Sequence, residues 1–273
     1  MSSLKRIVAA VDGSVTAARG LRFAIERAKC HGAAIDVAYA VNRVGVAIAT
    51  ANPYGYVDPT PMLDAIDDRA DAFLEEGVTL AETFDVSAAG TKLEGSPADA
   101  IVERVNNTHA DAVVVGTHGR TGIRRLVIGS VAEGVVTKCT SPVFVVPQEE
   151  PTPAGPLRRA LVCIDGSAAS EMALAFAVRI AAVEKTQLTL CTVAEAELPR
   201  EAMRIETLPI PVEYQLLHGD AVTEITSFAD AISADCIFAG THGRTGISRF
   251  MLGSVASGLL QLSRVPVCTV RHE

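Results

Sequence analysis

The sequence predicts an α/β fold of two tandem modules, each a Rossmann-like open parallel sheet of five strands flanked by helices. Short apolar, β-branched runs alternate with amphipathic helical patterns along the 273 residues. In addition, 14 of the 19 residues at 116–134 are identical to their partners 124 positions later. A repeat of this length indicates two homologous modules. We assign the first module to residues 1–147, a charged, proline-rich linker to 148–156 and the second module to 157–273.

The first module begins with a strand, a helix and a second strand. The run KRIVAAV is typical of a buried parallel strand and ends at Asp12-Gly13-Ser14, a turn and helix-cap signal. An amphipathic helix follows and is closed by Gly32, and AAIDVAYAV forms the second strand. Residues 43–62 are rich in Gly, Pro and Tyr and are expected to be a mobile loop.

The remaining elements of this module repeat the same alternation. Apolar residues recur every three or four positions over 63–84 and predict a second helix, which is followed by a third strand within 85–94. Ser96 and Pro97 predict the start of a helix, and DAVVVGT is the fourth strand. We expect Ser130 and Glu133 to form a capping box at the last helix, before the fifth strand PVFVV.

The second module repeats this order in a shorter chain. Its strands are predicted at RALVC, QLTLCTV, EYQLL, DCIFAGT and PVCTV. Asp12 lies 104 positions before Gly116, whereas Asp165 lies only 75 positions before Gly240. The 29 missing positions fall between the second and third strands, so we expect this module to lack the mobile loop and the second helix.

Composition excludes several classes of protein. A net charge of −8 and 4% aromatic residues argue against a nucleic-acid-binding surface, which needs a basic face. No apolar run approaches the length of a membrane span, and the N-terminus leads directly into a strand without a signal peptide. The six cysteines show no CxxC spacing and are expected to be core residues. These observations predict a cytoplasmic protein without a metal centre.

Each module carries a glycine-rich loop that leads into a helix, an arrangement that binds phosphate in other proteins. The pattern is Gly, two residues, Gly, nine residues, Gly-Ser. Its residues are Gly116, Gly119, Gly129 and Ser130, and then Gly240, Gly243, Gly253 and Ser254. There is no GxxxxGK[ST] and no GxGxxG after the first strand, so a P-loop NTPase and a dinucleotide enzyme are disfavoured.

With the acidic residue after the first strand, this pattern resembles the universal stress protein family, specifically its ATP-binding branch in the tandem two-domain form. The resemblance covers essentially the whole chain. It implies a strand order of 3-2-1-4-5, with the ligand crevice between strands one and four. It also implies that Asp12 and Val41 lie near adenine and ribose, with Asp165 and Val193 as their counterparts.

The same resemblance implies the phosphate contacts. The paired glycines would approach ribose and phosphates, where a Cβ would crowd the ligand. The helix start would donate backbone amides, and its serine a hydroxyl. The residues concerned are Gly116, Gly119, Gly129, Ser130 and Val131, then Gly240, Gly243, Gly253, Ser254 and Val255. A purely structural role of these residues, in a tight turn and a helix cap, is the alternative.

Charged residues of the loop are less informative. Arg120 and Arg244 contact phosphate or belong to a solvated basic face, together with the arginines Arg124, Arg125 and Arg249. His118 and His242 have no base or ligand partner evident in sequence, so we expect them to be surface residues or to support the loop. No catalytic or metal-ligating residue is predicted.

The leading hypothesis is an ATP-binding regulator of the stress response that binds ATP with or without Mg²⁺ and has no dedicated catalytic machinery. The alternatives are a slow ATPase or phospho- or nucleotidyl-transferase, and a dimeric scaffold that binds no nucleotide. The fifth strands would be exposed sheet edges unless paired, so they are expected to form an interdomain or intersubunit contact. A homodimer of chains, with an unknown protein partner, is the expected assembly.

Overall fold

The computed structural model describes residues 3–43, 51–52, 55–56, 58–117, 128–148, 154–193, 210–242 and 252–272. Its strands are β1 (Arg6–Ala10), β2 (Ala34–Val41), β3 (Ala51–Asn52), β4 (Gly55–Tyr56), β5 (Ala88–Glu94), β6 (Ala112–Gly116), β7 (Val143–Val146), β8 (Arg159–Cys163), β9 (Gln187–Val193), β10 (Val212–Leu217), β11 (Cys236–Gly240) and β12 (Val267–Val270). Its helices are α1 (Val15–His31), α2 (Thr60–Thr83), α3 (Pro97–Thr108), α4 (Ser130–Lys138), α5 (Ala168–Glu184), α6 (Ala221–Ala231) and α7 (Ser254–Leu262). Among the described helices, none has the length and apolarity needed to cross a bilayer.

Ten strands form one sheet, in the order β10-β9-β8-β11-β12-β7-β6-β1-β2-β5. Each half of this sheet is parallel and follows the order 3-2-1-4-5, which confirms the expected topology of each module. The buried runs of β1, β6 and β7 are almost entirely Ala and Val or Ile and Phe, as suits strands covered on both faces.

The two half-sheets join through their fifth strands. β7 and β12 pair antiparallel, with Val143 opposite Thr269 and Val145 opposite Val267. The fifth strands, which were expected to be exposed edges unless paired, therefore pair with each other within the chain, and their contact is interdomain. Because each fifth strand now has two neighbours, neither presents a free edge to another molecule.

Two apolar clusters cover the two faces of the sheet. The helices α1, α2 and α5 contribute to one cluster, and α3, α4, α6 and α7 contribute to the other. Because the junction is antiparallel, the strands of the two halves run in opposite directions. The strands of the two half-sheets therefore point their carboxyl ends, where parallel α/β sheets bind ligands, in opposite directions.

Three local features differ from the sequence prediction or fall outside what is described. The second helix, α2, begins at Thr60, so it takes up part of the segment predicted as a loop, which also contains the short β3–β4 hairpin. The capping-box prediction was wrong: Gly129 is the N-cap of α4, because its carbonyl accepts the Glu133 N–H at 2.9 Å, and Ser130 is the first helical residue. The predicted absence of a second helix in the second module concerns residues 194–209, which lie outside the described residues.

The matching helices α1 and α5 end differently, and this leads to a stability prediction. Both C-caps adopt the left-handed conformation, but the first is Gly32 (φ 65°) and the second is Lys185 (φ 63°). We expect Lys185→Gly to raise the free energy of unfolding by about 1 kcal/mol, because glycine adopts this conformation without a Cβ penalty. Urea unfolding followed by circular dichroism measures it.

Gly32→Ala is the matched control for this prediction. A Cβ at Gly32 meets no atom within 4 Å, so any loss of stability reports on backbone strain alone. An unchanged or lowered stability of Lys185→Gly, beside a destabilised Gly32→Ala, would contradict the argument.

Candidate functional site

Each half-sheet carries a cavity at the carboxyl ends of its first and fourth strands. The first cavity has a volume of about 270 Å³ and lies between the starts of α1, α3 and α4. It is lined by Ala10, Val11, Asp12, Ser14, Ala17, Ala40, Pro97, Ile101, Val115, Gly116, Thr117, Gly129, Ser130, Val131 and Ala132. This is the crevice that the strand order predicts.

The second cavity, of about 230 Å³, occupies the same place in the other half. It is lined by Cys163, Ile164, Asp165, Ser167, Ser170, Cys191, Val193, Ala221, Ile225, Ala239, Gly240, Thr241, His242, Gly253, Ser254, Val255 and Ala256. The structure thus brings together, in each module, the acidic residue after the first strand and the described part of the glycine pattern.

The acidic residues are part of a turn that starts the following helix. Asp12 Oδ1 accepts the Ser14 N–H at 2.9 Å, and Ser14 Oγ accepts the Ala17 N–H at 3.1 Å. The second module repeats this: Asp165 Oδ1 accepts the Ser167 N–H at 2.9 Å. Each carboxylate therefore uses one oxygen to hold the turn at the cavity wall, as is usual for Asp in this position.

The last residues of the fourth strands, Gly116 and Gly240, have a packing reason to be glycine, separate from the predicted approach to a ligand. A Cβ at Gly116 would lie 2.8 Å from the backbone carbonyl carbon of Thr16, and one at Gly240 would lie 2.8 Å from that of Ala169. These neighbours belong to the first turns of α1 and α5. Glycine is therefore required here for close packing of strand and helix, and this packing places the helix start at the cavity.

Hydrogen bonds anchor both ends of the segment between the fourth strand and the last helix. Thr117 N–H donates to Val146 O at 3.0 Å, and Gly129 N–H donates to Thr117 O at 2.7 Å. In the second module, Thr241 N–H donates to Val270 O at 3.0 Å, and Gly253 N–H donates to Thr241 O at 2.8 Å. The start of α4 or α7 is thereby held directly beside the end of the fourth strand.

These helix starts supply backbone amide donors to the cavities. In α4 the first N–H that bonds back within the helix is that of Glu133, so the amides of Ser130, Val131 and Ala132 have no carbonyl one turn earlier. In α7 the same holds, because Ser257 N–H is the first to bond back, to Gly253 O at 2.9 Å. Such amides, at the positive end of the helix dipole, favour an anionic ligand.

One predicted wall residue lies elsewhere. Val41 is 1% exposed and packs in the apolar core, while its neighbour Ala40 lines the first cavity. Successive residues of a strand point to opposite faces, so a shift of one position moves the side chain across the sheet. Val193 does line the second cavity, and the register shows that its counterpart is Ala40, because Ala10 pairs with Ala38 as Cys163 pairs with Cys191.

Several predicted residues lie outside the described part of the chain: Gly119, Arg120, Gly243 and Arg244, with His118, Arg124, Arg125 and Arg249. His242 is described. Its Nδ1 lies 3.0 Å from Thr241 Oγ1, and its carbonyl accepts the Ser167 hydroxyl at 3.2 Å. These contacts tie the loop after the fourth strand to the turn after the first.

Sequence reasoning missed the apolar wall of both cavities. Pro97 and Ile101 come from the first turns of α3, and Ala221 and Ile225 come from the matching turns of α6. Ser96-Pro97, which predicted the start of α3, could also have predicted this wall. A helix that follows the third strand begins near the carboxyl ends of the strands, where the crevice lies. Among the described residues, no group of three or more His, Cys, Asp or Glu side chains is arranged to bind a metal ion.

Comparisons with known proteins agree with this architecture. A family model described as the universal stress protein family matches residues 3–147, 156–203 and 194–271. A universal stress protein of Methanocaldococcus jannaschii is 32% identical over 143 residues, which cover 52% of this chain and 81% of that protein. One of Mycobacterium tuberculosis is 28% identical and covers 97% of each chain. The crystal structure of a universal stress protein from Archaeoglobus fulgidus has a TM-score of 0.80 at 20% identity, covers 98% of each chain and shares the fold.

Proposed function

The chain belongs to the universal stress protein family, and on that premise we propose that it is a cytoplasmic, nucleotide-dependent regulator of the stress response that binds ATP in both cavities. ATP binds with or without Mg²⁺. Occupancy changes the conformation or assembly of the protein, and any ATP hydrolysis is slow.

The observation that carries the proposal is the same in both modules. A helix of nine residues, α4 or α7, begins at the cavity with three amides that lack acceptors within the helix. These amides fit a triphosphate, while the apolar walls from α3 and α6 fit a flat base. The arrangement has no described acid, base and nucleophile in mutual contact, which favours binding over catalysis.

The asymmetry predicted from sequence extends to the cavity walls. The first cavity has Ala10, Ala40 and Pro97 where the second has Cys163, Val193 and Ala221. The second cavity therefore carries larger side chains on its strands, and loop 43–62 has no counterpart of equal length there. We expect ATP to bind more tightly to the first site.

The paired fifth strands also bear on assembly. The chain already contains the β7–β12 contact between two modules. A homodimer of chains, and any contact with a protein partner, therefore uses other surfaces. A dimer would contain four modules and four cavities.

The first test is the identity and amount of nucleotide released from freshly purified, heat-denatured protein, measured by chromatography and mass spectrometry. We expect about two ATP per chain, and about one if only the tighter site retains its ligand. If no nucleotide is released and none binds on titration with ATP and Mg²⁺, the protein is the scaffold of the alternative hypothesis. Rapid turnover of ATP would support the enzyme hypothesis instead.

Ser130→Pro tests the role of the helix start directly. Proline fits the first position of a helix, and Gly129 before it is extended (φ −66°, ψ 146°), as the residue before proline must be. The substitution removes the amide and the hydroxyl of Ser130 while α4 keeps its start. We expect a loss of about 10- to 100-fold in ATP affinity at the first site, since a hydrogen bond to a charged group contributes about 1.5–3 kcal/mol.

Matched variants separate the contributions. Ser130→Ala removes only the hydroxyl, and Ser254→Pro is the equivalent change in the second module, where Gly253 is also extended (φ −62°, ψ 151°). Calorimetric titration of nucleotide-free protein should show that each proline variant binds ATP more weakly at one of its two sites, which is the tighter site in Ser130→Pro. Unchanged affinity of both sites in both proline variants would overturn the proposal.

A further inference from the structure

The second cavity contains a pair of cysteines on adjacent strands. Cys163 is the last residue of β8, Cys191 lies in β9, and the two are direct partners in the parallel register. Their sulfur atoms are 3.9 Å apart, and both residues line the cavity. Both are free thiols. Both thiols thus belong to the wall of the second cavity.

The first module lacks this feature although its backbone is the same there. Its register partners are Ala10 and Ala38, on β1 and β2. Even the exposure matches, because Ala10 and Cys163 are half-buried, whereas Ala38 and Cys191 are each 1% exposed. The other four cysteines do not line either cavity among the described residues. The thiol pair therefore distinguishes the second cavity from the first.

We propose that Cys163 and Cys191 are a redox-active pair that forms a reversible disulfide when a peroxide enters the second cavity. One thiol loses its proton and the thiolate attacks a peroxide oxygen. The O–O bond breaks, the leaving hydroxide takes up that proton, and a sulfenic acid and water are formed. The second thiol then attacks the sulfenic sulfur, a second water leaves, and the disulfide forms. The sulfurs are oxidised by two electrons, and the peroxide is reduced. Hydrogen peroxide fits a cavity of about 230 Å³ that is open to solvent at the strand ends.

The geometry permits the bond. Neighbouring strands are about 4.8 Å apart, within the range of about 4.4–6.8 Å between Cα atoms that disulfides span. The sulfurs must approach from 3.9 Å to about 2.05 Å. The two side chains point to the same face of the sheet, and the Cβ atoms of a disulfide are about 3.5–4.5 Å apart, so rotation about the Cα–Cβ bonds is joined by a small approach of the ends of β8 and β9. No shift of register is needed.

The surroundings make the reaction slow in resting conditions. The contact with Cys191 and then burial raise the pKa of the Cys163 thiol well above its ordinary value, and the carboxylate of Asp165 adds to this. Part of the remaining wall is apolar, from Ala221, Ile225 and Ala239, and its polar part includes Ser167, Ser170, Thr241, His242 and Ser254. The thiol therefore stays protonated at neutral pH and reacts only with sustained peroxide. The disulfide draws both sulfurs toward each other and changes the shape of the cavity wall that they form.

The closing experiment uses the full-length protein, with and without hydrogen peroxide. After denaturation, free thiols are alkylated and peptides are mapped by mass spectrometry. We expect one disulfide between Cys163 and Cys191, lost on treatment with dithiothreitol and absent from Cys163→Ala and Cys191→Ala. Persistence of both as free thiols, or separate conversion of each to a sulfinic acid, would overturn the proposal.

A transplant provides the matched control. In the Cys163→Ala/Cys191→Ala background, Ala10→Cys/Ala38→Cys places the same pair at the equivalent register positions of the first module, where Ala10 lines the first cavity. We expect the disulfide to form there instead, since the strand register is the same. If the native pair oxidises but the transplanted pair does not, strand register and exposure are not sufficient for the disulfide to form. That result would overturn this part of the argument.

The effect of the bond on ligand binding rests on the proposed function, whereas the bond itself does not. In the Ser130→Pro background, ATP titration reports on the second site, and we expect oxidation to change its Kd by about tenfold. An equal Kd in both redox forms would refute coupling between the bond and the site. Absence of ATP binding in either form, with the disulfide present, would refute the proposed function and leave the redox pair standing.

Discussion

Glu184→Gln is expected to lower the free energy of unfolding by about 3–5 kcal/mol, because it leaves a buried arginine without its counter-charge. Glu184 ends α5, and its Oε1 lies 3.1 Å from Arg27 Nε and 3.2 Å from His31 Nε2, both on α1. The side chains of all three residues are completely buried. The cluster joins the two modules.

Backbone hydrogen bonds make the cluster specific. Leu157 N–H donates to Glu184 Oε2 at 2.6 Å, and Leu4 N–H donates to His31 Nδ1 at 3.1 Å. Because Nδ1 accepts, the proton of the neutral ring is on Nε2, which donates to Glu184. Arg27 also donates to the carbonyl of Gly155 and lies over the Phe23 ring, 4.9 Å from its centre. Glutamine keeps an acceptor for Leu157 but removes the charge that Arg27 and His31 face.

Urea unfolding followed by far-ultraviolet circular dichroism measures the change, since the chain has no tryptophan. The control is Asp230→Asn, which removes the charge of a surface pair with Arg264 at 3.9 Å. The two side chains are 50% and 66% exposed, so this change should lower the free energy of unfolding by less than about 1 kcal/mol.

Adding Arg27→Met to Glu184→Gln removes the unpaired charge. The double variant should therefore be more stable than Glu184→Gln alone by about 1 kcal/mol or more. Strictly additive losses would contradict the explanation.

Phe144→Ala is expected to lower the free energy of unfolding by about 3–5 kcal/mol, because it opens a cavity at the module junction. Phe144 lies on β7 and is completely buried. Its ring centre lies 5.2 Å from that of Phe23, 6.0 Å from that of Phe176 and 6.1 Å from that of Phe238. These partners come from α1, α5 and β11, so one ring contacts elements of both modules.

Graded substitutions test this mechanism with the same unfolding measurement. Phe144→Leu keeps most of the volume and should cost less than about 1.5 kcal/mol. Phe228→Ala, on α6 and only half-buried, should cost less than Phe144→Ala because its site is partly filled by solvent. Equal losses for Phe144→Ala and Phe228→Ala would contradict a special role of the junction.

Local signals explain why much of the fold could be predicted. Ser14 caps α1 and Gly32 ends it, as expected, because capping depends on a few neighbouring residues. The alternation of strands and helices restricts the topology to parallel sheets with right-handed crossovers. The sequence correctly placed Ser130 at the start of α4, but its predicted role as the N-cap was wrong, because Gly129 is the N-cap. Gly and Ser both suit this position, and only the backbone conformation in the folded chain decides which of the two occupies it.

Positions across the sheet could not be predicted to one residue. The sequence pointed to Val41, and the structure places Ala40 at the cavity, because the side-chain alternation of β2 depends on where its pairing with β1 begins. The glycines at 116 and 240 were predicted for the approach of a ligand, and the sequence did not reveal that they also allow the close approach of a helix that is distant in sequence from the strand. Contacts of this kind are not encoded in local periodicity.

By itself, the sequence determined the number of modules, the class of fold, the order of the elements and the place of the glycine-serine helix starts. All of these follow from repetition and from interactions over a few residues. Only the tertiary structure decided how the modules meet. His31 and Glu184 occupy equivalent positions, 153 residues apart, at the ends of α1 and α5. The antiparallel pairing of β7 with β12 brings these helices together on one face of the sheet, and burial makes the opposite charges of Arg27 and Glu184 necessary to each other.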